Sequence, residues 1–237
     1  MKQKLKIGRG FTLVELLVVI VIIAALAGLT APMVIRQRKK ADQTEAVNNA
    51  KQIGLAMFEF DAAYGSYPSQ TTAESFPDAT IGALFGTNSN DFFRQFIASE
   101  ISQSEAMFYA KANYTKKPDN VYNASGKALA PKEVGFGYIM NGDVAFSSSG
   151  NPSRVLAVAP LAGSTTPAGD GTFDLETYDS KAVVLRIDNS VQSLNVQKTS
   201  KKAQLNNTAP IKFLLDTGAD SIWGEGVTPS IKVPSVQ

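Results

Sequence analysis

Residues 11–29 form an almost unbroken apolar run in which only Thr12 and Glu15 are strongly polar. As a helix this run is about 28 Å long, close to the thickness of a bilayer core, so a transmembrane segment is predicted. Lys2, Lys4, Lys6 and Arg9 precede it. That layout also fits a cleavable secretory signal, and Ala25-Leu26-Ala27 offers a small-residue cleavage site. Glu15 argues against a disposable signal, because an ionisable acid inside an apolar helix opposes insertion and marks a functional position.

The charge balance separates along the same line. The whole chain carries 23 basic and 21 acidic side chains, net +2. Without residues 1–10 it has 19 basic against 21 acidic, net −2. The basicity therefore belongs to the leader, and no nucleic-acid partner is predicted. Cysteine and histidine are both absent, which removes thiol chemistry, the commonest metal ligands and the usual general base. An enzyme is not expected.

The stretch Gly8-Arg9-Gly10-Phe11-Thr12-Leu13-Val14-Glu15-Leu16 resembles the processing motif of type IV prepilins and type II secretion pseudopilins. Pro32 falls where many pilins carry a proline. The resemblance implies cleavage after Gly10 by a prepilin peptidase on the cytoplasmic side, methylation of the new N-terminus at Phe11, and a role for Glu15 in assembly. It further implies a single-pass precursor in a bacterial inner membrane with a periplasmic globular domain, which later enters an envelope or extracellular filament. The implied partners are the peptidase, membrane lipid, an inner-membrane assembly platform, and other copies of the chain or pilin-like subunits. Cleavage creates an α-amine on Phe11, one helical turn from Glu15, and supplies a cation where a buried acid needs one. The family's account pairs the glutamate with the terminus of a neighbouring subunit.

Arg36, Arg38, Lys39 and Lys40 follow the span and balance the four leader charges, so lysine and arginine counting alone does not orient it. The simplest role for this second cluster is a face against lipid headgroups. Beyond it, Ala46, Ala50, Ile53, Met57, Phe60 and Tyr64 recur at spacings of four and three, which predicts an amphipathic helix packed on its own globular domain. Joined to the apolar half, the helix runs from residue 11 to about 64, on the order of 80 Å, and Gly65 and Pro68 end it. Gly28 and Pro32 define its weakest turn, because proline cannot donate to the Gly28 carbonyl and glycine is a poor helix former. Asn49-Ala50-Lys51-Gln52-Ile53-Gly54-Leu55-Ala56, followed by Tyr64-Gly65-Ser66-Tyr67-Pro68, resembles a second signature of proteins related to major pseudopilins, which open into a C-terminal sheet.

The predicted organisation is a basic leader at 1–10, a transmembrane and assembly helix at 11–35, and an amphipathic helix with a globular domain at 36–237. Residues 66–90 read as a surface loop. Asn90-Asp91 read as the cap of a helix carrying Phe92, Phe93, Phe96, Ile97 and Ile101, and residues 112–134 as irregular. Strands are predicted at 136–140 and 143–146 around Asn141-Gly142, at 154–159, and at 182–187 and 191–196 around Asp188-Asn189-Ser190. The fold class is α+β, a long N-terminal helix on an antiparallel sheet of four or five strands.

Two motifs are assigned structural roles. Leu214-Leu215-Asp216-Thr217-Gly218-Ala219 resembles the catalytic turn of retropepsin-like aspartic proteases, which need two such carboxylates, and no second Asp-Thr-Gly or Asp-Ser-Gly exists here. Some major pseudopilins bind calcium in a C-terminal loop, which makes Asp170, Asp174 and Asp179, with Glu176, weak calcium candidates. Their spacing fits no EF-hand, and a solvated loop is the expectation, with no cofactor. The functional expectation is a structural filament subunit. The alternative is a secreted or membrane-tethered ligand-binding module that uses a pilin-type export signal.

Overall fold

The computed structural model describes residues 11–163 and 165–237. Helix α1 spans Leu13–Tyr64, followed by α2 (Gln70–Ala73), α3 (Ser89–Ala98) and a 3-10 turn at Ala106–Phe108. Strands β1 (Gly137–Asn141), β2 (Val155–Ala159), β3 (Lys181–Arg186), β4 (Val191–Asn195) and β5 (Pro229–Lys232) complete the chain. They form one antiparallel sheet in the order β4-β3-β2-β1-β5. The α+β architecture expected from the sequence is therefore the one observed.

The chain divides into two compact units, Met1–Arg38 and Lys39–Gln237. In the first, every large apolar side chain of the described part is exposed, from Phe11 through Ile35. Helix α1 is continuous through residues 28–32 despite Pro32. The Thr30 hydroxyl donates to the Leu26 carbonyl at 3.0 Å, adding a local bond near the turn where proline has removed one.

In the second unit the sequence stripe becomes the core face of α1. Ala46, Ala50, Ile53, Met57 and Phe60 are fully buried, and Phe60 lies 4.5 Å from the Tyr64 ring and edge-on to Phe96 at 5.4 Å. Gly54 serves close approach: a Cβ there would fall 2.0 Å from Asn189 Oδ1 and 3.0 Å from Leu185 Cδ1. The β3–β4 turn thus passes over the helix where the helix has no side chain. Asn189 takes φ +61° in that turn, and Asp188 Oδ1 accepts from the Ser190 amide at 2.9 Å, the local closure that asparagine and aspartate favour in hairpins.

Three expectations need correction. Residues 143–146 are not a strand: Asn141 makes a single bridge to Val144, and β5 occupies the edge of β1 instead. Val144 is exposed, and Phe146 turns inward to stack on Trp223 at 6.1 Å, so burial of one aromatic outweighs a short ladder. Helix α3 starts two residues before the expected Asn90-Asp91 cap, with Asn88 at the N-cap and Asp91 Oδ2 accepting from the Asn88 amide at 3.4 Å. Asn90 instead donates to the Leu129 carbonyl at 2.9 Å and accepts from the Ser235 amide at 2.8 Å. Finally, residues 66–90 contain α2, whose Ser69 and Thr72 bond each other reciprocally at the helix start.

Among the described residues, most of the exposed large apolar side chains lie in the first unit and the large core lies in the second. A chain starting at about residue 36 is therefore expected to be a folded, soluble monomer. Circular dichroism and sedimentation check this; an unfolded chain, or filaments formed without the apolar helix, would contradict it.

Candidate functional site

Glu15 lies in the first turn of α1, and the structure gives it neighbours that the sequence reading overlooked. Its Oε2 accepts from the Thr12 amide at 2.8 Å and from the Thr12 hydroxyl at 2.7 Å, while the Glu15 amide donates back to the Thr12 hydroxyl at 3.2 Å. This is a reciprocal capping pair, and it satisfies donors that a helix start leaves open. The Thr-x-x-Glu spacing was legible in the sequence as a capping box. Phe11 immediately precedes this pair and is exposed. Gly10 and the rest of residues 1–10 lie outside the described residues. Gly28 and Pro32, expected to mark a weak turn, sit in continuous helix with open space around Gly28.

The span is the described helix that is long and apolar enough to cross a membrane. Of the basic cluster that follows, Lys39 reaches Glu176 at 3.2 Å. Asp42 and Lys111 pair at 3.3 Å, and Asn49 donates to the carbonyls of Ala106 and Tyr109 at 3.1 and 2.9 Å. These contacts fix the second half of α1 to loops of its own unit, and the exposed ion pairs add little stability individually.

Asp170, Asp174 and Asp179 are not brought together. Asp170 Oδ1 accepts from the Thr172 amide at 3.0 Å and its hydroxyl at 2.7 Å, and the hydroxyl bond is the main reason its carboxyl sits below the usual range. Asp174 accepts from the Glu176 amide at 3.0 Å, from Asn113 at 3.3 Å and from the Thr177 hydroxyl. Asp179 occupies a left-handed backbone position. Asp216 likewise closes a turn, accepting from the Phe213 amide at 2.7 Å.

Among the described residues, the acidic side chains that do converge are Glu105, Asp119 and Glu133, with one carboxylate oxygen of each within 4.8 Å of the others. No sequence motif announces this group, because its members come from separate irregular segments. Burial raises the Glu105 carboxyl above its ordinary range, opposed by the Leu129 amide and reinforced by the charges of Glu133 and Asp119.

Comparison with known proteins bears on the first of these regions. Residues 6–31 match the family described as the prokaryotic N-terminal methylation motif. The chain is 39% identical over 61 residues to the type II secretion system core protein G of Pectobacterium carotovorum subsp. carotovorum, covering 26% of this chain and 39% of that protein. It is 46% identical over 55 residues to the protein of the same name from Escherichia coli strain K12, covering 22% and 38% respectively. The chain thus spans about two fifths of the length of the curated relatives it matches. No solved structure matches it significantly. The N-terminal region is thus similar to that of the type II secretion core proteins G and carries the methylation motif.

Proposed function

We propose that this protein is a structural subunit of a pseudopilus or type IV pilus-like filament, stored as an inner-membrane precursor and released for assembly by prepilin peptidase. The observation that carries this reading is the exposed apolar half of α1, interrupted by one carboxylate in its first turn, within a segment that matches the methylation motif. Such a surface needs lipid or like helices around it. Cleavage after Gly10 frees the Phe11 amine, which is then methylated, and Glu15 pairs with such an amine on a neighbouring subunit. The lone charge sets the axial register of an otherwise uniform apolar helix. The turn at Gly28 and Pro32 supplies the place where this helix yields during packing.

The alternative, a tethered ligand-binding module, has no use for a carboxylate at this depth. Gly10→Leu tests the processing step on which the filament reading rests. The precursor is expected to accumulate uncut in the membrane, with mature protein reduced at least ten-fold on immunoblots, because the peptidase must accept a small residue beside the scissile bond. Normal cutting of this variant would count against a prepilin site.

A further inference from the structure

We propose that Glu105, Asp119 and Glu133 form a calcium site that ties together the irregular chain between α3 and β1. The two glutamates have no exposed surface. Consecutive amides grip them: Leu129 donates to Glu105 Oε1 at 2.6 Å, and Ala130 donates to Glu133 Oε2 at 2.8 Å. One oxygen of each glutamate is thereby held in place. The others, Glu105 Oε2 and Glu133 Oε1, are buried and find no hydrogen bond among the described residues. Asp119 uses Oδ1 to accept from the Val121 amide at 2.9 Å, leaving Oδ2.

A buried carboxylate oxygen without a partner is costly, and two beside a third acid are more so. The available cations resolve this only in part. Lys116 Nζ forms an ion pair with Glu133 Oε1 at 3.1 Å from a half-exposed side chain, without a hydrogen bond, and leaves Glu105 Oε2 without a cation. The Arg94 guanidinium is committed to Asp91 and to the carbonyls of Ala83, Ala128 and Leu129. Three carboxylates against one half-exposed ammonium leave a net negative group of oxygen ligands.

The geometry favours calcium. Oxygens sharing one calcium ion at about 2.3–2.6 Å lie no more than about 5 Å apart, and one carboxylate oxygen from each of these three residues meets that limit. The ligands come from separate irregular segments with carboxylates in excess, which suits the variable coordination of calcium better than the strict octahedron of magnesium. This assignment is independent of the filament reading and lies outside the Asp170–Asp179 loop.

The test uses the full chain in detergent, stripped with a chelator and then titrated with calcium chloride. Calorimetry is expected to show binding, and saturating calcium to raise the melting temperature by about 5 °C or more. Asp119→Asn, at an exposed position, keeps the acceptor for Val121 and should weaken calcium binding at least ten-fold without lowering the melting temperature in chelator. Glu105→Gln keeps the acceptor for Leu129 and relieves like-charge repulsion, so in chelator it should melt no lower than the parent chain, and calcium should no longer raise it. A triple Asp170→Asn, Asp174→Asn, Asp179→Asn variant should retain the response. The proposal is overturned by identical melting of the parent chain with and without calcium, by an undiminished response in Asp119→Asn or Glu105→Gln, or by an equal response to magnesium.

Discussion

Glu15→Gln is expected to be inserted and processed normally yet to assemble poorly, with filament yield per processed chain falling about ten-fold or more. This variant is the informative one because of the Thr12 contacts. Glutamine serves as well as glutamate in a capping pair, so a purely structural role for Glu15 predicts undisturbed helix and undisturbed assembly. Membrane insertion alone predicts improvement, since a charge has left an apolar segment. Only the assembly role predicts failure, because glutamine cannot supply a charge to pair with the Phe11 amine of a neighbour. Glu15→Ala removes cap and charge together and should fall at least as far. Quantitative electron microscopy, normalised to cleaved protein, reads the difference; full yield from both variants would remove Glu15 from the mechanism.

Trp223→Ala is expected to cost about 3–5 kcal/mol, which for a folded unit of this size lowers the melting temperature by roughly 6–20 °C. Trp223 is fully buried, stacks on Phe146, and donates Nε1–H to the Leu214 carbonyl at 2.8 Å. Its own carbonyl accepts from Arg154 Nε and Nη2 at 3.0 and 2.7 Å, and the same guanidinium lies over the Phe146 ring at 5.4 Å. Alanine leaves a cavity, an unpaired Leu214 carbonyl and a loosened clamp between the tail and the start of β2. Leu55→Ala, on the exposed side of α1, should change stability by less than about 0.5 kcal/mol. Equal melting of the two variants would contradict this account of the core.

What the sequence revealed and what it hid follow from the range of the interactions. The stripe from Ala46 to Phe60 was legible because helical periodicity is local, and β3 and β4 because their turn carries Asp188 and Asn189. Strand β5 was not, since four residues with a proline make a strand only when the β1 edge is offered to them. The segments at 66–90 and 112–134 looked like loops because their order comes from elsewhere. Gln95 on α3 donates to the carbonyls of Ser69 and Leu84, both at 2.7 Å, and Arg94 holds those of Ala128 and Leu129. Polar side chains of one helix thus supply the bonds that those loops cannot make internally. At the candidate sites the same contrast holds. Thr12 and Glu15 are three residues apart and could be paired by inspection. Glu105, Asp119 and Glu133 meet only after the backbone at 129–130 is in place.

The central claim is that assembled protein is a processed pilin-like subunit, and the mature N-terminus tests it most directly. Mass spectrometry of filament or envelope material is expected to find chains beginning at N-methylated Phe11 and lacking residues 1–10. Assembled chains that retain Met1, or mature chains that begin at Gly28 after cleavage at Ala25-Leu26-Ala27, would contradict it.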